Sequence, residues 1–289
     1  MKTILGIGTA GTNVVSQLAQ YKVYQSYTIC TETKKTTKYK FNLPDLPGPE
    51  EYEQMDMTKL HKWASTIEKE CTVFLCGASN SSGITLRLLE KLHKKGVKIG
   101  IVYFMPEIDV LSEEKQLQER TCRGVLQNYA RSGIFENICL ISNVELEALA
   151  GNTNVIDYYN QINHVFTSTY YILDVFKNTK AITSTFKRPK ESCRVYTIGI
   201  SGIESEEKLF FPFNQGVEMV YYYGINEQKL KTEENLFRTL TDKVKSKITE
   251  ERKVSFGIFP TNYEEDYVYV EIFSPKIQQI IVDIEEEIE

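Results

Sequence analysis

The sequence predicts an α/β protein in two parts, a domain built on a parallel sheet and a smaller mixed α/β unit, joined by one long helix. Three observations predict it. In the first half, short apolar runs alternate with stretches of helical period, and the runs are apolar throughout, as expected of strands buried on both faces. Near the middle, Val155, Tyr159, Ile162, Phe166, Tyr170 and Leu173 hold a helical period for about five turns. A helix of that length, apolar along one stripe, suits a spine between two cores. Beyond it the pattern turns to strands. At 289 residues the chain is long enough for two cores, since single cores stop growing near ~250–300 residues. The expected boundaries are 1–154 for the first domain, 155–178 for the helix, 179–276 for the second domain and 277–289 for an acidic tail.

Taken in order, Thr3 to Ile7 reads as a strand, followed by Gly8 to Asn13 and a helix marked by Val14, Val15, Leu18 and Ala19. A second strand is expected from Tyr24 to Cys30, then a polar Lys/Thr stretch and a loop from Leu43 to Pro49, which is marked by prolines and a glycine. A helix from Met57 to Lys69 leads to a strand at Thr72 to Cys76 and the polar run Gly77 to Gly83. Leu86, Leu88, Leu89 and Leu92 mark the next helix, and Val97 to Phe104 the next strand. A charged helix from Glu113 to about Ala130 precedes a strand at Ile138 to Ser142. After the long helix, Lys180 to Ser192 is polar and basic and reads as a loop. Strands are expected at Val195 to Ile200, Gly216 to Gly224, Lys253 to Phe259 and Tyr267 to Phe273, with a helix from Glu233 to Ile248. Asp283 to Glu289 is expected to fray.

Composition narrows the function classes. Hydrophobic residues at 42% and charged residues at 25% describe an ordinary soluble globular protein. The net charge is −5 and no concentrated basic face is evident, which argues against nucleic acid as the main ligand. No apolar segment approaches ~18 residues, so membrane insertion is not expected, and the apolar start is too short for a signal peptide. Six cysteines show neither a CxxC pair nor clustering with histidine. They read as buried free thiols of a cytoplasmic protein, with no zinc site and no disulfide framework.

Two polar loops carry the functional argument. Gly6-Ile7-Gly8-Thr9-Ala10-Gly11 satisfies GxGxxG between a strand and a helix. Glycines there permit a tight turn and bring backbone N–H groups at a helix N-terminus close to a phosphate. Taken alone, this motif also admits a dinucleotide-binding enzyme, with Glu32, about 20 residues further on, holding a ribose hydroxyl. The bland reading is a tight strand–helix turn. Gly77 to Gly83 is a second Gly/Ser/Asn loop entering a second helix, and two such loops can close on one polyphosphate from both sides. Its bland reading is a serine-rich helix cap.

Gly6 to Asn13, a glycine-rich run ending in Asn, resembles the first nucleotide loop of the tubulin/FtsZ superfamily. Val73-Phe74-Leu75-Cys76-Gly77-Ala78-Ser79-Asn80-Ser81-Ser82-Gly83 resembles the strand leading into that family's GGGTGTG loop. Ile99 to Pro106, Ile141-Ser142-Asn143, Ile162-Asn163-His164-Val165 and Ser255-Phe256-Gly257 resemble, in order, the strand before the ribose loop, the "IPN" strand end, the base-contacting start of the core helix and the "FG" strand of the second domain. The likeness spans roughly residues 3 to 275, by order and spacing more than by identity. It implies a tubulin/FtsZ-like fold, with GTP or GDP as ligand and magnesium admissible beside the phosphates. The nucleotide is expected across Gly8, Thr9, Ala10, Gly11, Thr12 and Asn13 and across Gly77, Ala78, Ser79, Asn80, Ser81, Ser82 and Gly83, with its ribose near Glu113 and its base near Asn163 and His164. The resemblance further implies head-to-tail filaments, of the divergent kind that phages or plasmids carry, with a further protein partner admitted.

The departures bear on activity. Ser79, Asn80 and Ser81 stand where the family has a glycine run, and Thr31, Glu32 and Thr33 where it has acidic and amide residues. The family carries two acidic residues in the loop after the core helix, which activate water in the next subunit's pocket. Here that loop reads Ala181-Ile182-Thr183-Ser184-Thr185-Phe186-Lys187-Arg188-Pro189-Lys190-Glu191, without Asp. Thr183, Ser184, Thr185, Lys187 and Arg188 are expected to face the next subunit, no catalytic residue is assigned, and hydrolysis is expected to be slow or absent. The alternative is a structural or assembly component of the same fold that no longer binds nucleotide.

Overall fold

Strand residues in this chain alternate between two different cores, and that alternation shows how the sheet is covered. The computed structural model describes residues 1–32, 35–152 and 154–280. The stretch expected to fray, 283–289, lies outside them. Strands β1 (Lys2–Ile7), β2 (Tyr24–Cys30), β3 (Lys40–Asn42), β4 (Glu70–Cys76), β5 (Lys98–Met105) and β6 (Asn137–Ser142) are interleaved with helices α1 (Gly8–Leu18), α2 (Pro49–Gln54), α3 (Thr58–Ala64), α4 (Thr85–Lys94), α5 (Glu113–Arg131) and α6 (Asn143–Ala150). Helix α7 (Tyr158–Lys177) follows. After it come β7 (Thr183–Ser184), β8 (Val195–Ser201), β9 (Lys208–Leu209), β10 (Glu218–Asn226), α8 (Glu227–Thr232), α9 (Leu236–Ser246), β11 (Lys253–Thr261) and β12 (Tyr267–Ser274).

Among the described residues the strands form one sheet in the order β3-β2-β1-β4-β5-β6-β8-β12-β10-β11-β7, with β9 paired to β8. The pairs from β3 to β8 are parallel, as is β10 with β11. Strand β12 is antiparallel to both its neighbours. The two halves join where β6 meets β8, through the short register Ile138↔Val195 and Cys139↔Tyr196. The strands after α7 therefore continue the first sheet rather than forming a detached one.

On β5, Ile99, Ile101, Tyr103 and Met105 enter a core with α3, α4 and α5, while Val102 and Phe104 enter one with α1, α6 and α7. On β10, Met219, Tyr221, Tyr223 and Ile225 pack against Leu236, Leu240 and Val244 of α9, and Val220 and Tyr222 face the α7 side. The second half thus owns the α9 core and shares the other. Ile162, Phe166, Leu173 and Phe176 of α7 lie in the shared core, against Phe74 and Phe104 of the first half and Phe259 and Tyr269 of the second. The spine helix starts later than the apolar period suggests: Val155 and Ile156 precede it and are 94% and 92% exposed.

Candidate functional site

In the order β3-β2-β1-β4-β5-β6 the chain reverses direction across the sheet between β1 and β4, the position where doubly wound sheets bind ligands beyond the carboxyl ends of their strands. The loops following β1 and β4 are the two polar loops singled out in the sequence, and they do meet there. Gly8 has φ 71°, a left-handed conformation that favours glycine. A Cβ at Gly8 would lie 2.6 Å from Ser81 Oγ and 3.0 Å from Ser79 Oγ. Those two hydroxyls hydrogen-bond each other at 2.7 Å. The loops expected to flank a polyphosphate thus lie side by side, with Ser79 and Ser81 turned toward Gly8.

The remaining glycines are packing positions. A Cβ at Gly11 would lie 2.1 Å from the Phe74 carbonyl oxygen of β4, and one at Gly6 2.4 Å from the Gly11 carbonyl oxygen, so these residues let α1 lie close on the sheet. Gly77 abuts the Tyr103 hydroxyl and Gly83 the Pro49 carbonyl. A large side chain at Gly11 would strike β4 before it reached any phosphate.

The 77–83 loop is tied down by groups that sequence motifs do not flag. Gln118 Nε2 donates to the carbonyls of Gly77 and Ser79 and to Ser82 Oγ, at 3.1, 2.8 and 2.8 Å. Lys115 Nζ donates to Asn80 Oδ1 at 2.6 Å, and Asn80 Nδ2 donates to the Pro47 carbonyl. Residues 80–84 form a 3₁₀ turn leading into α4. Beneath the loop, burial raises Cys76 to about 11 and Cys122 to about 12. Both stay protonated and unreactive at neutral pH.

Beside Gly8 a cleft of ≈ 220 Å³ remains, bordered by Thr9, Thr31, Asp45, Tyr52 and Asn80. That is below the about 300–1,000 Å³ typical of small-molecule sites. Thr9, Ala10 and Asn13 are exposed; Thr9 Oγ1 donates to Glu32 at 3.2 Å, and the Thr12 hydroxyl is buried without a partner. Ala78 borders no part of the cleft. Glu113 lines another cleft, of ≈ 640 Å³, with Met105, Ile108 and Arg120. Asn163 is buried on α7 and His164 is exposed, and neither borders the Gly8 cleft. Of the expected site, Gly8, Thr9, Ser79, Asn80 and Ser81 border this one cleft; Glu113, Asn163 and His164 do not line it, although the start of α7 packs on α1, where Gln17 Nε2 donates to the Asn160 carbonyl. Asp45 and Tyr52 were missed because their segment matches no motif. Among the described residues, no group of three or more His, Cys, Asp or Glu side chains is placed to hold a metal ion.

The loop after α7 lies at the opposite end of the strands. Thr183 and Ser184 form an edge strand on β11, opposite Ile258 and Gly257. The Phe256 N–H donates to Thr185 Oγ1 at 3.1 Å, and Phe186 covers Gly257. The segment expected to be loop throughout therefore contains a short strand, and the Thr185 hydroxyl is engaged in it. Lys187 and Arg188 are exposed.

No family model matches the chain, and no curated protein matches it in sequence. Solved structures do. An FtsZ dimer from M. jannaschii superposes with a TM-score of 0.68 at 13% identity, covering 94% of this chain and 87% of that one. The chain has the tubulin/FtsZ fold. A GTPγS-form protofilament of TubZ from Bacillus thuringiensis serovar israelensis gives 0.69 at 12%, covering 93% and 86%. GTPγS-bound CetZ2 from Haloferax volcanii, also a protofilament, gives 0.67 at 13%, covering 95% and 94%. The tubulin/FtsZ fold thus accounts for nearly the whole chain. Among the described residues no helix is long and apolar enough to cross a membrane.

Proposed function

We propose that this is a tubulin/FtsZ-fold protein that assembles head to tail as a structural component, and that it neither holds a nucleotide in the manner implied by its sequence resemblance nor hydrolyses one appreciably. The observation carrying this reading is the close approach to Gly8 of Ser79 and Ser81, whose side chains narrow the space between the two loops. The loop at 181–191 supports it from the other end: it has no Asp, and its Thr185 hydroxyl already accepts a backbone hydrogen bond. A threonine so engaged is a poor base for water near neutral pH. Self-assembly is favoured by the filament form of the TubZ and CetZ2 structures. A heterologous contact that does not close on itself builds an open filament. The two-domain division at residues 1–154 and 179–276 belongs to the same reading, supported by the separate α9 core.

The test is the nucleotide released on denaturing the purified protein, together with titration of a fluorescent GTP analogue. Little nucleotide and weak binding are expected. The S79G/S81G variant, which reopens the space facing Gly8, is expected to bind more tightly. Stoichiometric GTP or GDP in the unmodified protein would overturn this reading. A second reading, nucleotide binding after the loops part, is favoured by the unpartnered Thr12 hydroxyl and the uncapped N-terminus of α1; the same release experiment decides between them.

A further inference from the structure

The two ends of the second half of the sheet carry an excess of opposite charge. At the amino ends of its parallel strands lies a cleft of ≈ 1140 Å³. Its wall includes Phe176, Phe186, Val220, Tyr222 and Phe273, and Lys180, Lys187, Arg188 and Lys190 stand around it. Lys177 and Arg194 are paired with Glu271 and Glu191, whereas those four cations have no ion-pair partner among the described residues. At the carboxyl ends of β10 and β11 the sign reverses. There Glu204, Glu233, Glu234, Glu264, Glu265 and Asp266 gather around Lys229. Lys229 pairs with Asp266 and Glu233, leaving Glu204, Glu234, Glu264 and Glu265 unpaired among the described residues. Beside them Tyr263 and Tyr267 are 46% and 42% exposed, packed edge to face.

We infer that the basic cleft receives the acidic 262–266 turn of a second copy, so that protein carboxylates provide the negative partner of the longitudinal contact. This rests on the head-to-tail reading above. Like charges gathered on one face repel unless opposite charge meets them. Because β10 and β11 are parallel, translation along the strands brings the acidic end of one copy to the basic end of the next. The turn offers aromatic rings and carboxylates together, and the cleft offers an aromatic wall and a cationic rim. Such complementarity fixes register and partner choice.

The test uses the full chain in three charge variants, K187E/R188E, E264K/E265K and the combination of all four. These positions are exposed, and circular dichroism checks each fold. Sedimentation and negative-stain electron microscopy read assembly across a salt series. The expected result is assembly of the unmodified protein that weakens as salt rises. Each two-residue reversal is expected to raise the concentration needed ~10-fold or more, because like charges then face each other, and the combined swap to restore assembly. Unmodified protein and reversals assembling alike would overturn this pairing while leaving head-to-tail assembly intact. So would loss in both reversals without recovery in the swap, or loss on deleting residues 281–289, which would name the tail as occupant. An unmodified protein that stays monomeric at every concentration would overturn the assembly reading itself.

Discussion

At the carboxyl ends of the first-half strands the chain packs against itself, whereas at the amino ends of the second half it leaves a cleft of ≈ 1140 Å³. Both ends are polar, and both carry segments expected to act. The difference is in how those segments are satisfied. The 77–83 loop spends its groups internally, on Ser79–Ser81, Gln118 and Lys115. Around the 178–191 loop the backbone is paired through β7, but Lys180, Lys187, Arg188 and Lys190 form no ion pair among the described residues. The closed end is held by its own contacts, and the open charged end is the one that the proposed longitudinal contact uses.

Substitutions can break or sharpen that contrast. The largest effect is expected at Arg123, whose guanidinium pairs with the buried Glu119 beneath the closed loop, where Tyr103 also donates to Glu119. Arg123→Met leaves a buried carboxylate without its cation, and urea unfolding should show a loss of about 3–5 kcal/mol. Gly11→Ala forces a Cβ onto the Phe74 carbonyl. Thermal denaturation should show about 1–3 kcal/mol of overpacking cost, and a neutral result would mean that α1 is free to shift.

A third check reads the closed end through its thiols. Burial raises Cys76 from 9.0 to about 11, so at pH 7 its thiolate fraction is about 100-fold below that of an ordinary thiol. Alkylation of Cys76 in the folded protein should stay slow and keep accelerating up to about pH 11. A plateau near pH 9 would mean the loop opens readily. The smallest effects separate the two ends directly. Ser79→Ala removes a hydrogen bond from the closed loop and should cost about 0.5–1.5 kcal/mol. Lys187→Ala, exposed at the open end, should change monomer stability by less than about 0.5 kcal/mol.

How much of this was legible in the sequence depends on element length. Strand β2 falls at Tyr24–Cys30 and α5 begins at Glu113, both as expected. The short elements β3, α2, β7, β9, α6 and α8 were not foreseen, because two to eight residues hold too little period to read. The Met57–Lys69 helix ends at Ala64, before a turn in which Lys69 has φ 61°. Gly11 was expected to make room for phosphate; it makes room for a backbone carbonyl, a use that the motif cannot distinguish.

By itself the sequence determined the alternation of strands and helices, the long helix between the two halves and the place of the two polar loops, because each depends on periodicity or on local backbone freedom. Only the tertiary structure decided that β6 and β8 join the halves into one sheet, since that rests on the pairing of residues far apart in the chain. It alone decided that Ser79 and Ser81 face Gly8 rather than open space, and that Lys187 and Glu264 stand at opposite ends of the strands. Contact between distant loops and the direction of charge across a molecule arise from packing, and no window along the chain contains them.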